Sequence, residues 1–196
     1  MKNQKYFLIG LWFLLIQVIA IVRNYSDSYI YFFWFCDFAP MLFAIAFFMK
    51  KDDFVKGLIN IGLFAQIIFL IDFFYNAFNN ISLLDFMPSF SELSLFYILS
   101  TFLLHISTFI ALVFTYKTKP SKNTLFSSIW IIIGLYALTL IFTSPIDKIN
   151  YVYSSGDLLK FAIPYYTFLW PFIVFIFIVL PTQGLQYLIW KIFKKK

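Results

Sequence analysis

The feature that most constrains this chain is a series of six long apolar stretches. Each has about the 20 residues that a membrane-spanning helix needs, and short linkers holding most of the charged residues separate them. They predict a single domain, residues 1–196, that crosses a bilayer six times. The stretches are approximately Tyr6–Val22, Tyr29–Met49, Phe54–Phe78, Leu93–Tyr116, Leu125–Thr143 and Ile163–Ile189.

Helices explain these stretches better than barrel strands do. Inside lipid the backbone must satisfy its own hydrogen bonds, which leaves only helices and closed β-barrels. Barrel strands alternate apolar and polar residues, whereas a run such as Phe172–Leu180 is apolar throughout. We therefore predict an all-α, polytopic six-helix bundle. Pro171 and Pro181 interrupt the last stretch, so its final part, Gln183–Phe193, either completes the span or lies along the interface.

The charged residues argue for a membrane and against nucleic acid. Only 12% of the residues are charged, about half the share in a soluble domain. The net charge of +6 comes from short basic clusters between apolar stretches, which is where the signals for membrane topology lie. Twelve of the fifteen basic residues fall on one side of the predicted bundle, and basic residues favour the cytoplasm. We predict a multi-pass protein of the cell membrane with both termini inside. The other side holds Arg23, Lys148 and Lys160.

Three ionisable side chains lie inside the predicted helices, where such groups are costly and usually face the bundle interior. At 1.5 Å per residue, Asp37 is ~12 Å, Asp72 ~9 Å and His105 ~18 Å from the outer surface. We therefore expect the three to share a cavity that opens outward. Pro40 strengthens this expectation, because it leaves the Cys36 carbonyl without its helical partner.

Polar neighbours extend this predicted cavity. A stripe follows one face of the fourth helix at spacings of three, four and seven residues, and Asp72 forms a similar pair with Asn76. We name Thr101, Thr108, Asn76 and Tyr151 as substrate-binding candidates. The stripe consists of Ser94, Thr101, His105, Thr108 and Thr115.

Structural explanations compete with these functional ones. A single cysteine in an apolar helix commonly acts as a small buried hydrophobe, and His105 and the Ser/Thr stripe can serve as hydrogen-bonding contacts between helices. Cys36 is the only cysteine, so no internal disulfide forms. No Cys/His spacing typical of a metal site and no Gly-rich phosphate loop occurs, and we expect neither a metal nor a cofactor.

Three segments resemble YwaF-like integral membrane proteins. The segment FCDFAPMLFAIAFF resembles the helix of that family that carries a His-Leu-Cys-Asp type motif. LLHISTFIALVFTYKTKP resembles a later helix in which a His begins an apolar run. INYVYSSGDLLKFAIPYYTFLWPF resembles the family's Asn-Tyr loop and its last helix, rich in Pro and Trp. The similarity extends over approximately Phe35–Pro181.

The resemblance implies a lipid-modifying chemistry. Relatives of that family include phospholipid acyltransferases with an essential Cys and His, and membrane hydrolases that use Thr and His. Cys36 would match the Cys and His105 the His, with Asp37 or Asp72 orienting the imidazole. The chain departs from the pattern where Phe33, Trp34 and Phe35 replace the His before the Cys, and where Ile106 replaces a Gly.

Three functions follow as hypotheses. The first is an intramembrane acyltransferase or hydrolase, in which the His105 imidazole activates the Cys36 thiol against an acyl ester. The second is a non-catalytic helper or scaffold on the same fold. The third is a small-molecule binding or transport subunit. In each case the expected partners are membrane lipids, with a small lipidic substrate in the first; the sequence identifies no partner protein.

Overall fold

A computed structural model of the chain describes residues 2–84, 86–153 and 164–194. Within these ranges the protein is all-helical and no strand occurs. The α-helices are α1 (Lys2–Asp27), α2 (Phe35–Phe48), α3 (Asp52–Asn79), α4 (Leu95–Thr115), α5 (Lys122–Phe142), α6 (Tyr166–Val174) and α7 (Leu180–Phe193). Short 3₁₀ turns lie at Tyr29–Phe33, Phe90–Glu92, Pro145–Asp147 and Ile149–Tyr151.

Five stretches of helix are long and apolar enough to cross a membrane, as predicted for a multi-pass membrane protein. They are Asn3–Tyr25, Asp52–Asn79, Leu95–Thr115, Lys122–Phe142 and Tyr166–Phe193. The last combines α6 and α7 through a π-helical segment, Phe175–Val179. Helix therefore continues through Gln183–Phe193. Residue 163, where the predicted stretch begins, lies outside the described ranges.

The second predicted helix differs most from the structure. Instead of one helix over Tyr29–Met49, the chain forms a 3₁₀ turn, an extended residue at Trp34 and the 14-residue α2. A helix of this length extends ~21 Å, less than the ~30 Å hydrocarbon core. Hydropathy alone hid the break, because Trp34 and the residues of the turn are themselves apolar.

α3 is the central helix and packs against α2, α4, α5 and α7. Its neighbours approach closely at two glycines. A Cβ at Gly57 would lie 2.8 Å from the Ser127 Cβ and 3.1 Å from the Ser128 backbone nitrogen. A Cβ at Gly62 would lie 2.7 Å from the Thr108 hydroxyl. On the other side of the bundle, stacking of Phe13 on the Phe43 and Phe47 rings joins α1 to α2.

The predicted basic linkers meet at one end of the bundle, which we call the lysine-rich end. The Asp52 carboxylate, at the start of α3, accepts hydrogen bonds from Tyr6 of α1 and from Thr118 after α4. Gln183 of α7 donates to the Ser121 carbonyl before α5. Polar contacts therefore hold together the start of α1, the two linkers and α7 at this end.

Buried amides join three helices just inside the lysine-rich end. Asn60 of α3 donates to Ser128 of α5 and to Gln183 of α7. Gln186 donates to Asn60 and to the Lys56 carbonyl, and the Lys56 ammonium donates to Gln186. These contacts form a polar core in helices that are otherwise apolar.

Gly57→Ala is expected to destabilise the protein by about 1–3 kcal/mol, because the new Cβ would overpack against the α5 backbone. Gly134→Ala is the matched control, since a Cβ there meets no atom within 4 Å and Ala has the higher helix propensity. Thermal unfolding in detergent micelles measures both. Equal melting temperatures for the two variants would contradict the close packing of α3 on α5.

Candidate functional site

The candidate site is a polar network at the end of the bundle opposite the lysine-rich end. Arg23 of α1 forms a buried salt bridge with Asp37 of α2. Asn24 donates to the same carboxylate oxygen at 3.0 Å. Arg23 also donates to the Thr101 hydroxyl of α4 at 3.0 Å. One guanidinium thereby connects three helices.

Cys36 and His105 lie at the two ends of this network. The Cys36 thiol lies 3.5 Å from the second carboxylate oxygen of Asp37, to which it donates. On α4, the His105 Nδ1 lies 2.8 Å from the Thr101 carbonyl oxygen. Hydrogen bonds therefore lead from Cys36 through Asp37 and Arg23 to the Thr101 hydroxyl, and His105 bonds to the backbone carbonyl of the same residue. Within the described part of the chain, no hydrogen bond joins the thiol directly to the imidazole.

The His105 ring is held in one orientation. A carbonyl oxygen only accepts hydrogen bonds, so the contact with Thr101 requires a proton on Nδ1. Nε2 is then the unprotonated nitrogen of the neutral ring. Phe69 of α3 stacks on the imidazole, with ring centroids 3.5 Å apart and planes inclined by 11°. His105 as a whole is 7% exposed, so the imidazole is buried.

The start of α2 is fixed by Asn150 from the loop after α5. The Asn150 side chain accepts from the Phe35 backbone N–H and donates to the Phe33 carbonyl, so it replaces the helical partners that the first turn lacks. The Trp170 indole of α6 donates in turn to the Asn150 carbonyl. Through these bonds the loop and α6 set the position of Cys36, the second residue of α2.

Pro40 lies inside α2, one turn beyond Cys36, and the helix continues through it. The N–H of the next residue, Met41, donates to the Gln17 side chain of α1 at 3.0 Å. Gln17 is itself buried. A side chain of the neighbouring helix therefore bonds to the α2 backbone next to the proline.

Thr108 lies one turn below His105 and contacts α3. Gln66 of α3 accepts from the Thr108 backbone N–H and donates weakly to the Leu104 carbonyl at 3.5 Å. In the described residues, the Thr108 hydroxyl is the one fully buried side-chain oxygen or nitrogen atom without a hydrogen-bond partner. A Cβ at Gly62 would lie 2.7 Å from this hydroxyl. Thr108 thus borders the network without joining it.

Asp72 and Asn76 organise a loop and do not join the network. Both Asp72 oxygens accept from the loop after α3, one from Ser82 and the other from the backbone N–H groups of Leu83 and Leu84. Asn76 bonds to the backbone at residues 88 and 90. The hydrogen bonds of Asp72 and Asn76 therefore go to the loop, and the expectation that Asp72 shares a cavity with Asp37 and His105 stays a prediction.

Tyr151 lies beside the entry to α2. Its ring meets Trp34 edge to face, with centroids 5.6 Å apart. Its backbone has a φ of 51°, in the left-handed region, as does the neighbouring Asn150. This unusual backbone turns the Asn150 amide toward α2.

Sequence reasoning missed Arg23, Asn24 and Asn150. Arg23 was assigned to a loop because the apolar stretch ends at Val22, but α1 continues to Asp27. The sequence did contain a signal for this ion pair. Arg23 lies one residue beyond an apolar stretch, and the buried Asp37 lies early in the next helix. No group of three metal-ligating side chains occurs among the residues that the structure describes.

Comparisons with protein-family models, with curated proteins and with solved structures find no match to this chain.

The Arg23–Asp37 pair is expected to show strong coupling in a double-mutant cycle. Arg23→Met or Asp37→Asn alone removes one charge and leaves its partner buried, which typically costs ~3–5 kcal/mol. The double variant leaves neither charge, so its loss should be much smaller than the sum of the two. Unfolding in mixed micelles measures the cycle. Additive losses would contradict the pairing. Glu92→Gln, at an exposed position at the end of the Phe90–Glu92 3₁₀ turn, is the control.

Proposed function

We propose that the protein is an intramembrane enzyme that transfers or hydrolyses the acyl ester of a membrane lipid. Cys36 would be the nucleophile and His105 the general base. The observation that carries the proposal is that Asp37, Arg23 and Thr101 lie between the thiol and the imidazole: Cys36 bonds to Asp37, Asp37 to Arg23 and Arg23 to the Thr101 hydroxyl, and His105 bonds to the carbonyl oxygen of the same Thr101. Ionisable groups inside a membrane are rare and usually functional.

The proposed reaction has two steps. His105 Nε2 takes the thiol proton while Cys36 Sγ attacks the ester carbonyl, and the lipid alcohol leaves with that proton. A thioester on Cys36 remains. Water or the hydroxyl of a second lipid then gives its proton to His105 and attacks the thioester, which releases the acyl product and restores the thiol. The thiol and Nε2 must approach each other for the first step, and catalytic hydrogen bonds commonly tighten only with substrate bound.

The contacts also support a YwaF-like architecture. The segments that carry the resemblance are distant in sequence, yet Asn150 bonds to the first turn of α2 and Trp170 bonds to Asn150. In this proposal, the Asn-Tyr loop and the last helix serve to position the cysteine. This gives the recurring residue types of those segments a common physical role.

We further propose six passes in the cell membrane with both termini inside. The start of α1 and the C-terminal end of α7 lie at the same, lysine-rich end, which requires an even number of crossings. α2 with its 3₁₀ turn would supply the sixth. Basic residues favour the cytoplasm, so the network would lie in the outer half of the bilayer.

A non-catalytic scaffold is the second candidate. The Cys36 thiol bonds to Asp37 rather than to His105, and the network joins α1, α2 and α4 as a structural lock would. In this alternative, replacement of Cys36 or His105 would alter stability alone.

An acyl-transfer assay on the full chain in liposomes distinguishes the two candidates. Cys36→Ala should abolish acyl release from phospholipid and any thioester seen by intact-protein mass spectrometry. His105→Asn keeps a donor near the Thr101 carbonyl but removes the base, and should slow turnover ~10²–10⁴-fold. Thr115→Ala, on the same stripe but with its hydroxyl bonded within α4, should react like the unmodified chain.

Two results would contradict the proposed enzyme. Unchanged lipids and no thioester with the unmodified chain, together with melting temperatures lowered by the Cys36 and His105 variants, would favour the scaffold. Equal turnover in the Cys36→Ala variant would remove the cysteine from the mechanism.

A further inference from the structure

A second feature lies at the lysine-rich end, opposite the network along α1 and α4. There a cleft of about 730 Å³ is lined by residues of the two helices and by Tyr116 and Lys117. Its walls are apolar side chains that remain largely exposed: Leu8 is 63%, Val113 64% and Phe114 52% accessible, and Trp12 44%. This apolar surface extends over about two turns of each helix.

The mouth of the cleft is basic. Lys5 of α1 and Lys117, two residues after α4, both line it and both are exposed. The Lys117 ammonium lies 5.6 Å from the centre of the Tyr116 ring. Neither lysine forms a salt bridge with any residue in the described ranges.

The nearby carboxylates are already engaged by neutral donors. Asp52 accepts from Tyr6 and Thr118, and Asp53 accepts from Ser121 and Thr124. Neither carboxylate lines the cleft. Since neither carboxylate lines the cleft or forms a salt bridge with Lys5 or Lys117, the two lysines are the charged residues that line it.

We propose that this cleft binds a membrane phospholipid with an anionic headgroup. An acyl chain would lie along Leu8, Trp12 and Val113, and the headgroup phosphate would lie between Lys5 and Lys117. The cleft has lysines at its mouth and apolar side chains along its walls. A phospholipid has its charged headgroup and its hydrocarbon chain in the same order along the membrane normal. Anionic lipids are attracted to basic clusters next to membrane helices.

The neighbouring cavity at the same end lacks this pairing. It measures about 430 Å³ and has Lys119 and Lys122 beside the polar Ser121 and Gln183. Leu125 and Pro120 are its apolar lining residues, too few to hold an acyl chain. Charge alone is thus common at this end, whereas charge above an apolar wall distinguishes the cleft between α1 and α4.

Native mass spectrometry of the detergent-solubilised full chain tests the proposal, with phosphatidylglycerol and phosphatidylcholine titrated separately. The unmodified chain should bind phosphatidylglycerol more tightly. The double variant Lys5→Gln/Lys117→Gln should lose about tenfold or more in affinity for phosphatidylglycerol, as expected for two lysines near the surface. The control Lys50→Gln/Lys51→Gln removes the same charge at the same end, outside the cleft, and should bind as the unmodified chain does.

A second variant tests the apolar wall. Val113→Trp places a large ring at an exposed position in the cleft and should weaken binding of both lipids, with an unchanged melting temperature in lipid-free detergent. Equal losses in the two lysine double variants would assign binding to diffuse surface charge and overturn the proposal. Unweakened binding in Val113→Trp would overturn it as well. None of these residues belongs to the Cys36–His105 network, so acyl-transfer results and lipid-binding results fail independently.

Discussion

The structure depends on a buried ion pair between Arg23 and Asp37. A single charge in the hydrocarbon region costs several kcal/mol, so each of these side chains requires the other. Asn24 and Thr101 supply further hydrogen bonds that the pair needs in a medium without water. Because these groups come from α1, α2 and α4, satisfying the charges also fixes the mutual positions of three helices.

The same constraint explains the polar residues elsewhere in the bundle. Gln66 bonds α3 to the α4 backbone, Gln17 bonds α1 to α2, and Asn60 bonds α3 to α5 and α7. Lipid gives apolar helices little reason to associate, so interhelical hydrogen bonds and close packing hold them together. Gly57 and Gly62 provide that close packing around α3. Each buried amide therefore also determines which helices lie next to each other.

The sequence predicted what hydropathy controls and missed what tertiary hydrogen bonds control. Long apolar stretches identified α1, α3, α4 and α5 because lipid requires length and apolarity. The break at Trp34 escaped notice because it is held by Asn150, which lies 116 residues along the chain. Asp72 was placed in the site on depth alone, whereas its partners are backbone N–H groups of a loop. The depth of a charged side chain in the membrane determines the free-energy cost of burying it, whereas the fold determines which group it pairs with.

α1 and α4 connect the two regions for which a function is proposed, the polar network and the cleft. At one end they supply Arg23, Thr101 and His105, and at the lysine-rich end they form the walls of the cleft. The ion-pair network sets their spacing at the first end, while Lys5 and Lys117 line the same cleft at the second. A lipid in that cleft would fill the volume that the two helices leave between them. The same helix pair would then be held by charge at one end and by an amphiphile at the other. A bound lipid would also account for the exposed aromatic and aliphatic side chains beside two lysines that form no salt bridge with the described residues.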